Sequence, residues 1–218
     1  MSRRSPRIAA QRGWVAIAAA LALWLVAPSA VAQTEPSFWS SREAQRDNID
    51  LFRKWTGMVG RHMAERVSRA EGCLVTRFSP CHWKDWLQTV ANLKGKPAAE
   101  QLDRINRYVN RHPYIADVQD FWETPGEFFE FNGDCEDYAI AKYWSLRLIG
   151  WPPEKLRLVV LQDLNLNVAH AVLVAYLDDS KVMMMDNQIA QVVEVNSVRH
   201  YRAYYSINEQ HWWLHVRQ

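Results

Sequence analysis

The chain has 218 residues, enough for one domain and too few for two of full size. Its 49% apolar and 23% charged composition, with 12% aromatics, excludes a disordered or collagen-like chain, and three cysteines exclude a disulfide-dense scaffold or a four-cysteine zinc site. The formal charge of +2 comes from the N-terminus, since without Arg3, Arg4, Arg7 and Arg12 the rest holds 22 basic against 24 acidic residues, and no basic surface for nucleic acid is expected.

Residues 1–32 read as an export signal: an arginine-rich start, a 14-residue apolar run at 14–27, then Ala30-Val31-Ala32 as a small-residue cleavage site. The run is shorter than the ~20 residues that span a bilayer. The mature chain, 33–218, is therefore expected in the periplasm, as a single domain with a mostly helical part at 33–116 and a catalytic loop, helix and sheet at 117–218. In that oxidising compartment Cys73 and Cys81 could close a small loop, leaving Cys135 as the odd cysteine; pairing of Cys135 with either of them is the alternative.

Apolar spacing predicts a helix over 47–70, weakened or split by Gly57 and Gly60, then helices over 83–93 and 98–110, ended by Gly95 and Pro113 respectively. Residues 117–133 form an irregular, aromatic-rich stretch with a Pro-Gly turn, more suited to packing around a site than to disorder. An amphipathic helix follows at 135–148. Beyond it come β-rich runs at 156–162, 168–177, 181–186, 191–195, 203–207 and 212–216, with a turn at Asp178-Asp179-Ser180. Helices in front and a mainly antiparallel sheet behind make an α+β fold.

The chemistry concentrates at Asn132–Tyr138, NGDCEDY. Gly133 supplies the turn and Asp134 the N-cap, with Asp137 three residues on. Cys135 then falls in the first helical turn, where free N–H groups and the helix dipole favour a thiolate and can hold an oxyanion. His170 lies in the strand VAHAVLVAY and Asp186 ends the next, in VMMMDNQ. A hairpin pairing Tyr176 with Val182 sets His170 opposite 187–188, within about two residues of Asp186. Nucleophile at a helix start, base on one strand and orienting carboxylate on the next is the cysteine-protease arrangement. Gln119, Trp122 and Asn132 are open choices for a second oxyanion donor. Asp134, Glu136 and Asp137 beside the thiol oppose a thiolate, and a hard cation would cancel their charge.

The runs GDCEDYAIAKYWSLRLIG, HAVLVAY and MDNQ resemble the bacterial transglutaminase-like cysteine proteinases, and among them the LapG-type periplasmic proteases. The resemblance implies a papain-like or transglutaminase-like core, with Cys135 as nucleophile, His170 as general base and Asp186 as the group that orients it. It also implies calcium dependence, with Asp134 and Glu136 among the ligands. Carbonyls or loop acids such as Asp117 or Asp120 are left open as the others. Its implied substrate is the N-terminal region of a large surface adhesin, whose cleavage releases the adhesin and promotes biofilm dispersal. The implied partner is a c-di-GMP-sensing inner-membrane receptor of the LapD type, the chain's only link to a membrane. A transglutaminase or amidase with the same triad, and a non-catalytic receptor-binding module, are the competing expectations.

Overall fold

The computed structural model describes residues 38–69, 81–178 and 180–217. The expected export signal, Cys73 and Asp179 of the expected turn lie outside the described residues. Strand β1 (Ser41–Arg46) leads through a short 3-10 turn into α1 (Arg53–Ser68), followed by α2 (His82–Ala91), α3 (Ala98–Val109), α4 (Pro125–Phe131) and α5 (Cys135–Ile149). Strands β2 (Leu156–Asp163), β3 (Val168–Tyr176), β4 (Val182–Met185), β5 (Val193–Glu194), β6 (Tyr201–Ile207) and β7 (Trp212–Arg217) complete the α+β fold.

Helix α1 runs unbroken through Gly57 and Gly60, where the sequence predicts a bend or split. Each interior glycine costs up to about 1 kcal/mol relative to alanine. Trp55, Met58 and His62 sit on one face of α1 and are almost wholly buried, which outweighs that cost. Two further differences concern β1 and α4. The polar segment SREAQR at 41–46, without any alternation, becomes β1 because it pairs along its whole length with β7. Residues 125–131 of the expected irregular stretch form α4, started by a capping box in which Thr124 Oγ1 accepts from Glu127 N and Glu127 accepts from Thr124 N.

Helix α5 is the hub. Its residues 137–146 are all buried, including Lys142 and Ser145, so it lacks the single apolar face that amphipathy predicts. It packs on β2 and β3 behind and on α2, α3 and α4 in front, and a helix covered on both sides has no solvent face to keep polar. Burial of Ile140, Tyr143, Trp144 and Leu146 contributes roughly 1.5–3 kcal/mol per side chain to fixing α5 in the core.

The sheet has seven strands in the order β1-β7-β6-β2-β3-β4-β5, every neighbouring pair antiparallel. Leu156, Leu158, Leu173, Ala175 and Ile207 face the helices, while Val159, Leu161, Val172, Val174 and Met184 face a second apolar layer with Phe38, Val195 and Val198. That is why β2 and β3 read as near-continuous apolar runs. In the β3–β4 hairpin Tyr176 pairs with Val182 and Leu177 N–H bonds to Lys181 O. The register thus brings the end of β4 alongside His170.

Candidate active site

Two polar structures set the start of α5. At the end of α4, Asn132 adopts a positive φ of 63° and turns the chain, and Ile115 N–H donates to Gly133 O at 2.9 Å. Asp137, 1% exposed, then accepts from Asp134 N at 3.0 Å and from Glu123 N at 2.7 Å, locking helix and preceding loop together. Gly133 is required for that closeness. A Cβ there would lie 2.3 Å from Asp137 Oδ2 and 2.8 Å from Asp137 Cβ. Cys135 therefore sits at the first position of a rigid helix, with a free thiol, whereas Cys81 is disulfide-bonded.

Cys135 and His170 line one cavity of about 430 Å³, with Tyr114, Asp117, Asp120, Trp122, Asp134, Glu136 and Ala171 also on its wall. His170 is 3% exposed and its Nε2 lies 2.9 Å from Asp186 Oδ1. With the carboxylate accepting there, Nε2 carries the proton and Nδ1 is the basic nitrogen. Asp186 is itself fully engaged. Gln188 N–H donates to Oδ1 at 2.8 Å, Tyr201 O–H to Oδ2 at 2.7 Å, and Asn110 Nδ2 to the main-chain oxygen at 2.7 Å. Burial works to raise its carboxyl, but the His170, Gln188 and Tyr201 bonds overcome it and hold Asp186 below the usual carboxylate range.

The thiol is electrostatically opposed. Burial pushes Cys135 up, and the Glu136 carboxylate, whose Oε2 is 3.2 Å from Sγ, and Asp134 push it further; the Ala171 N–H directed at the sulfur works the other way. Burial also raises Asp134, and it lifts Glu136, which shares a hydrogen bond with Asp134, to about 8. The donor atoms of Asp134, Cys135 and Glu136 all lie within 4.8 Å of one another. Asp134 Oδ1 is buried with no hydrogen-bond partner. Two clustered carboxylates, one with an orphaned oxygen, fit a hard divalent cation, which takes oxygen ligands. The loop acids are engaged elsewhere: Asp117 accepts from Asp120 N and Phe121 N, and Asp120 pairs with Lys54 and accepts from Trp122 Nε1.

Of the residues singled out in the sequence, Cys135, His170, Asp134 and Glu136 meet at this cavity, and Asp186 stands behind His170. Trp122 also lines it, but is 6% exposed and packed in the core, with its indole N–H on Asp120. Asn132 is turned to His112, and Gln119 is not among the lining residues. Tyr201, which holds Asp186, and Tyr114, stacked over Tyr138 at the cavity mouth, are additions from the structure. The only advance sign of Tyr201 is register, because it starts β6, beside β2.

The sequence model of the family described as bacterial transglutaminase-like cysteine proteinase matches residues 73–218. The chain belongs to that family. Legionella pneumophila LapG is a solved structure with 32% identity to it and a TM-score of 0.58, the match covering 61% of this chain and 77% of that one. LapG has been solved calcium-bound, with the same identity and coverage, and EGTA-treated, covering 75% of that chain. No curated protein matches the sequence. As a transglutaminase-like cysteine proteinase, the chain has the family's α+β core and the chemistry of a cysteine protease.

Proposed function

We propose that this chain is a periplasmic, calcium-dependent cysteine endopeptidase that cuts the N-terminal region of a large surface adhesin and so releases it. The observation that carries the reading is the joint placement of Cys135 and His170 on one cavity wall, with His170 Nε2 tied to a saturated Asp186. The likeness to LapG and the signal-like pattern of residues 1–32 support the substrate class and the compartment. In the same reading a c-di-GMP-sensing inner-membrane receptor holds the enzyme in check.

In the mechanism His170 Nδ1 takes the thiol proton of Cys135, and Asp186 stabilises the imidazolium and fixes its orientation. The sulfur attacks the scissile carbonyl carbon, and the main-chain N–H of Cys135, at the positive end of α5, donates to the developing oxyanion. His170 then gives its proton to the leaving amine as the C–N bond breaks, which leaves a thioester on Cys135. Water, deprotonated by His170, attacks that thioester; the acid is released and the thiol regains its proton. Asp134 and Glu136 would hold calcium. When bound, calcium supplies the positive charge that offsets their repulsion of the thiolate.

The test incubates wild type and Cys135→Ala, each with calcium or with a chelator, with an N-terminal fragment of a large surface adhesin. Cleavage by wild type in calcium alone is expected. A primary amine added to the reaction distinguishes the related chemistry: amine incorporated into the fragment without cleavage makes the protein an acyl transferase and defeats the endopeptidase reading.

A further inference from the structure

A cleft of about 610 Å³ lies outside the active cavity, between the end of α2, helix α3 and the segment that follows β4. The two concavities differ in sign. The active cavity's wall carries Asp117, Asp120, Asp134 and Glu136, whereas the cleft is lined by Arg104, Arg107 and Arg111 and by no carboxylate.

The three guanidinium groups are held in place yet free to exchange partners. Arg104 pairs with Glu100 at 3.3 Å and Arg107 with Asp103 at 3.0 Å, one turn back on α3. Their arginine side chains are 62% and 72% exposed, and ion pairs so open to water are weak enough for an incoming carboxylate to compete. Arg111 lies over the Tyr108 ring, its guanidinium carbon 5.2 Å from the centroid, and the Tyr108 hydroxyl is fixed on Asp85 at 2.8 Å. The floor is firm, because Asn106 Nδ2 donates to Ala190 O at 3.0 Å.

The geometry selects the occupant. Residues 104–111 extend over about 10 Å, so the charges form a row, which suits carboxylates spaced along a polypeptide better than one compact anion. The row also runs towards the catalytic centre. Arg111 is three residues before Tyr114, which lines the active cavity, so the two Cα atoms are at most about 11 Å apart. That connection is anchored beside the nucleophile, since Tyr138 Oη donates to His112 O and Ile115 N–H to Gly133 O. An extended chain covers 11 Å in about three residues. Acids on such a chain are repelled by the active cavity and attracted by the cleft.

Resting on the protease reading above, we propose that this cleft is an exosite that takes an acidic stretch of the protein substrate, a few residues from the bond that is cut.

The experiment compares the full chain with the triple variant Arg104→Gln, Arg107→Gln, Arg111→Gln. Both are assayed on the adhesin fragment and on a version whose acids flanking the cut are changed to amides. Thermal unfolding and iodoacetamide alkylation of Cys135 report on the fold and the thiol, and anisotropy of labelled decaglutamate, with decaglutamine as blank, reads binding without cleavage. The triple variant should raise KM about tenfold, the scale of three exposed ion pairs, with kcat and alkylation as in wild type. The amide fragment should raise the wild-type KM equally and leave the variant's unchanged, and decaglutamate should bind wild type about tenfold more tightly than the variant. An unchanged KM, or a fragment with no acids beside the cut, would overturn the proposal. So would decaglutamate binding lost with KM unaltered, which assigns the cleft to another protein, or phosphatidylglycerol vesicles binding in place of decaglutamate, which assigns it to a membrane. A lowered thermal midpoint with kcat and alkylation impaired would make the arginines structural and overturn it too. Should the triple variant not fold, Arg107→Gln and Arg111→Gln singly should each raise KM about twofold, and unchanged values refute the proposal. A wild type that leaves the fragment uncut defeats the function proposed above, while decaglutamate binding still reads the cleft.

Discussion

Removing the Tyr201 hydroxyl tests the account where catalysis and stability share one hydrogen bond. In Tyr201→Phe, Asp186 Oδ2 loses the 2.7 Å bond it accepts, inside a residue only 1% exposed. No solvent reaches the carboxylate to replace it. A hydrogen bond to a charged group contributes about 1.5–3 kcal/mol, so unfolding at pH 7 should cost about that much less in the variant. The bond acts on the carboxylate more than on the carboxyl, which fixes the pH dependence. Asp186's folded pKa lies below the usual 3.8, so its contribution is present above the unfolded value and is lost as pH falls through the folded one. The variant's folded pKa is higher. The stability gap between the two proteins should therefore be constant near neutrality and begin to narrow in acid, as Asp186 of the variant protonates first. Urea unfolding of both proteins from pH 7 downwards reads this directly. The proteolytic rate should fall roughly 10- to 100-fold at neutral pH, because the same loss loosens the group that orients His170. A gap below about 0.5 kcal/mol, or one equally large in acid, would refute the reasoning that this bond serves an ionised, buried Asp186.

Four further outcomes follow from other parts of the structure. Gly133→Ala places a methyl 2.3 Å from Asp137 Oδ2 and should lower stability by about 1–3 kcal/mol, read by thermal unfolding; a neutral result would mean that Asp137 can retreat without loosening α5. Arg157 is 1% exposed, pairs with Glu43 of β1 and lies 3.7 Å over the Trp213 ring, so Arg157→Met should cost about 3–5 kcal/mol and expose the β1 amides to hydrogen exchange first. His215 is bonded to Ser41 and Ser206 at 2.9 Å, and burial holds it down to about 3; its folded pKa is depressed, so the protein loses stability as pH falls from 6.5 towards 3, and His215→Gln should flatten that part of the curve. Calcium at a hundred times its Kd should raise unfolding stability by about 2.7 kcal/mol, and Asp134→Asn with Glu136→Gln should abolish the increment; an equal increment in the double variant would place calcium elsewhere.

The site was legible because its signals are local. Gly133, Asp134 and Asp137 name a helix start, and the Asp178–Ser180 turn counts out the register that brings Asp186 to His170. Strands β2 and β3, buried on both faces, announce themselves as apolar runs. What stayed hidden depends on contacts distant in sequence. Strand β1 has no alternation because it is an edge strand whose hold on the sheet is its ladder to β7, the Glu43–Arg157 pair and the Ser41–His215 bond. Tyr201 reaches Asp186 only once β6 lies beside β2 and β2 beside β3. Lys142 reads as one polar residue on an amphipathic helix, and only the covering of α5 on both sides makes it buried. Helix α4 is the exception, for the T-x-x-E pattern of its capping box at Thr124 and Glu127 was present in the sequence, and Pro125-Gly126 alone reads as a turn.

The claim at the centre of the account is that Cys135 attacks a peptide carbonyl, and trapping the acyl-enzyme tests it most directly. Wild type with calcium and the adhesin fragment is quenched in acid early in the reaction, digested, and read by mass spectrometry. The account predicts a thioester on the Cys135 peptide carrying the new C-terminus of the fragment, absent in Cys135→Ala and discharged by water as cleavage proceeds. Cleavage at an undiminished rate in Cys135→Ala, or an adduct on any other residue, would contradict it.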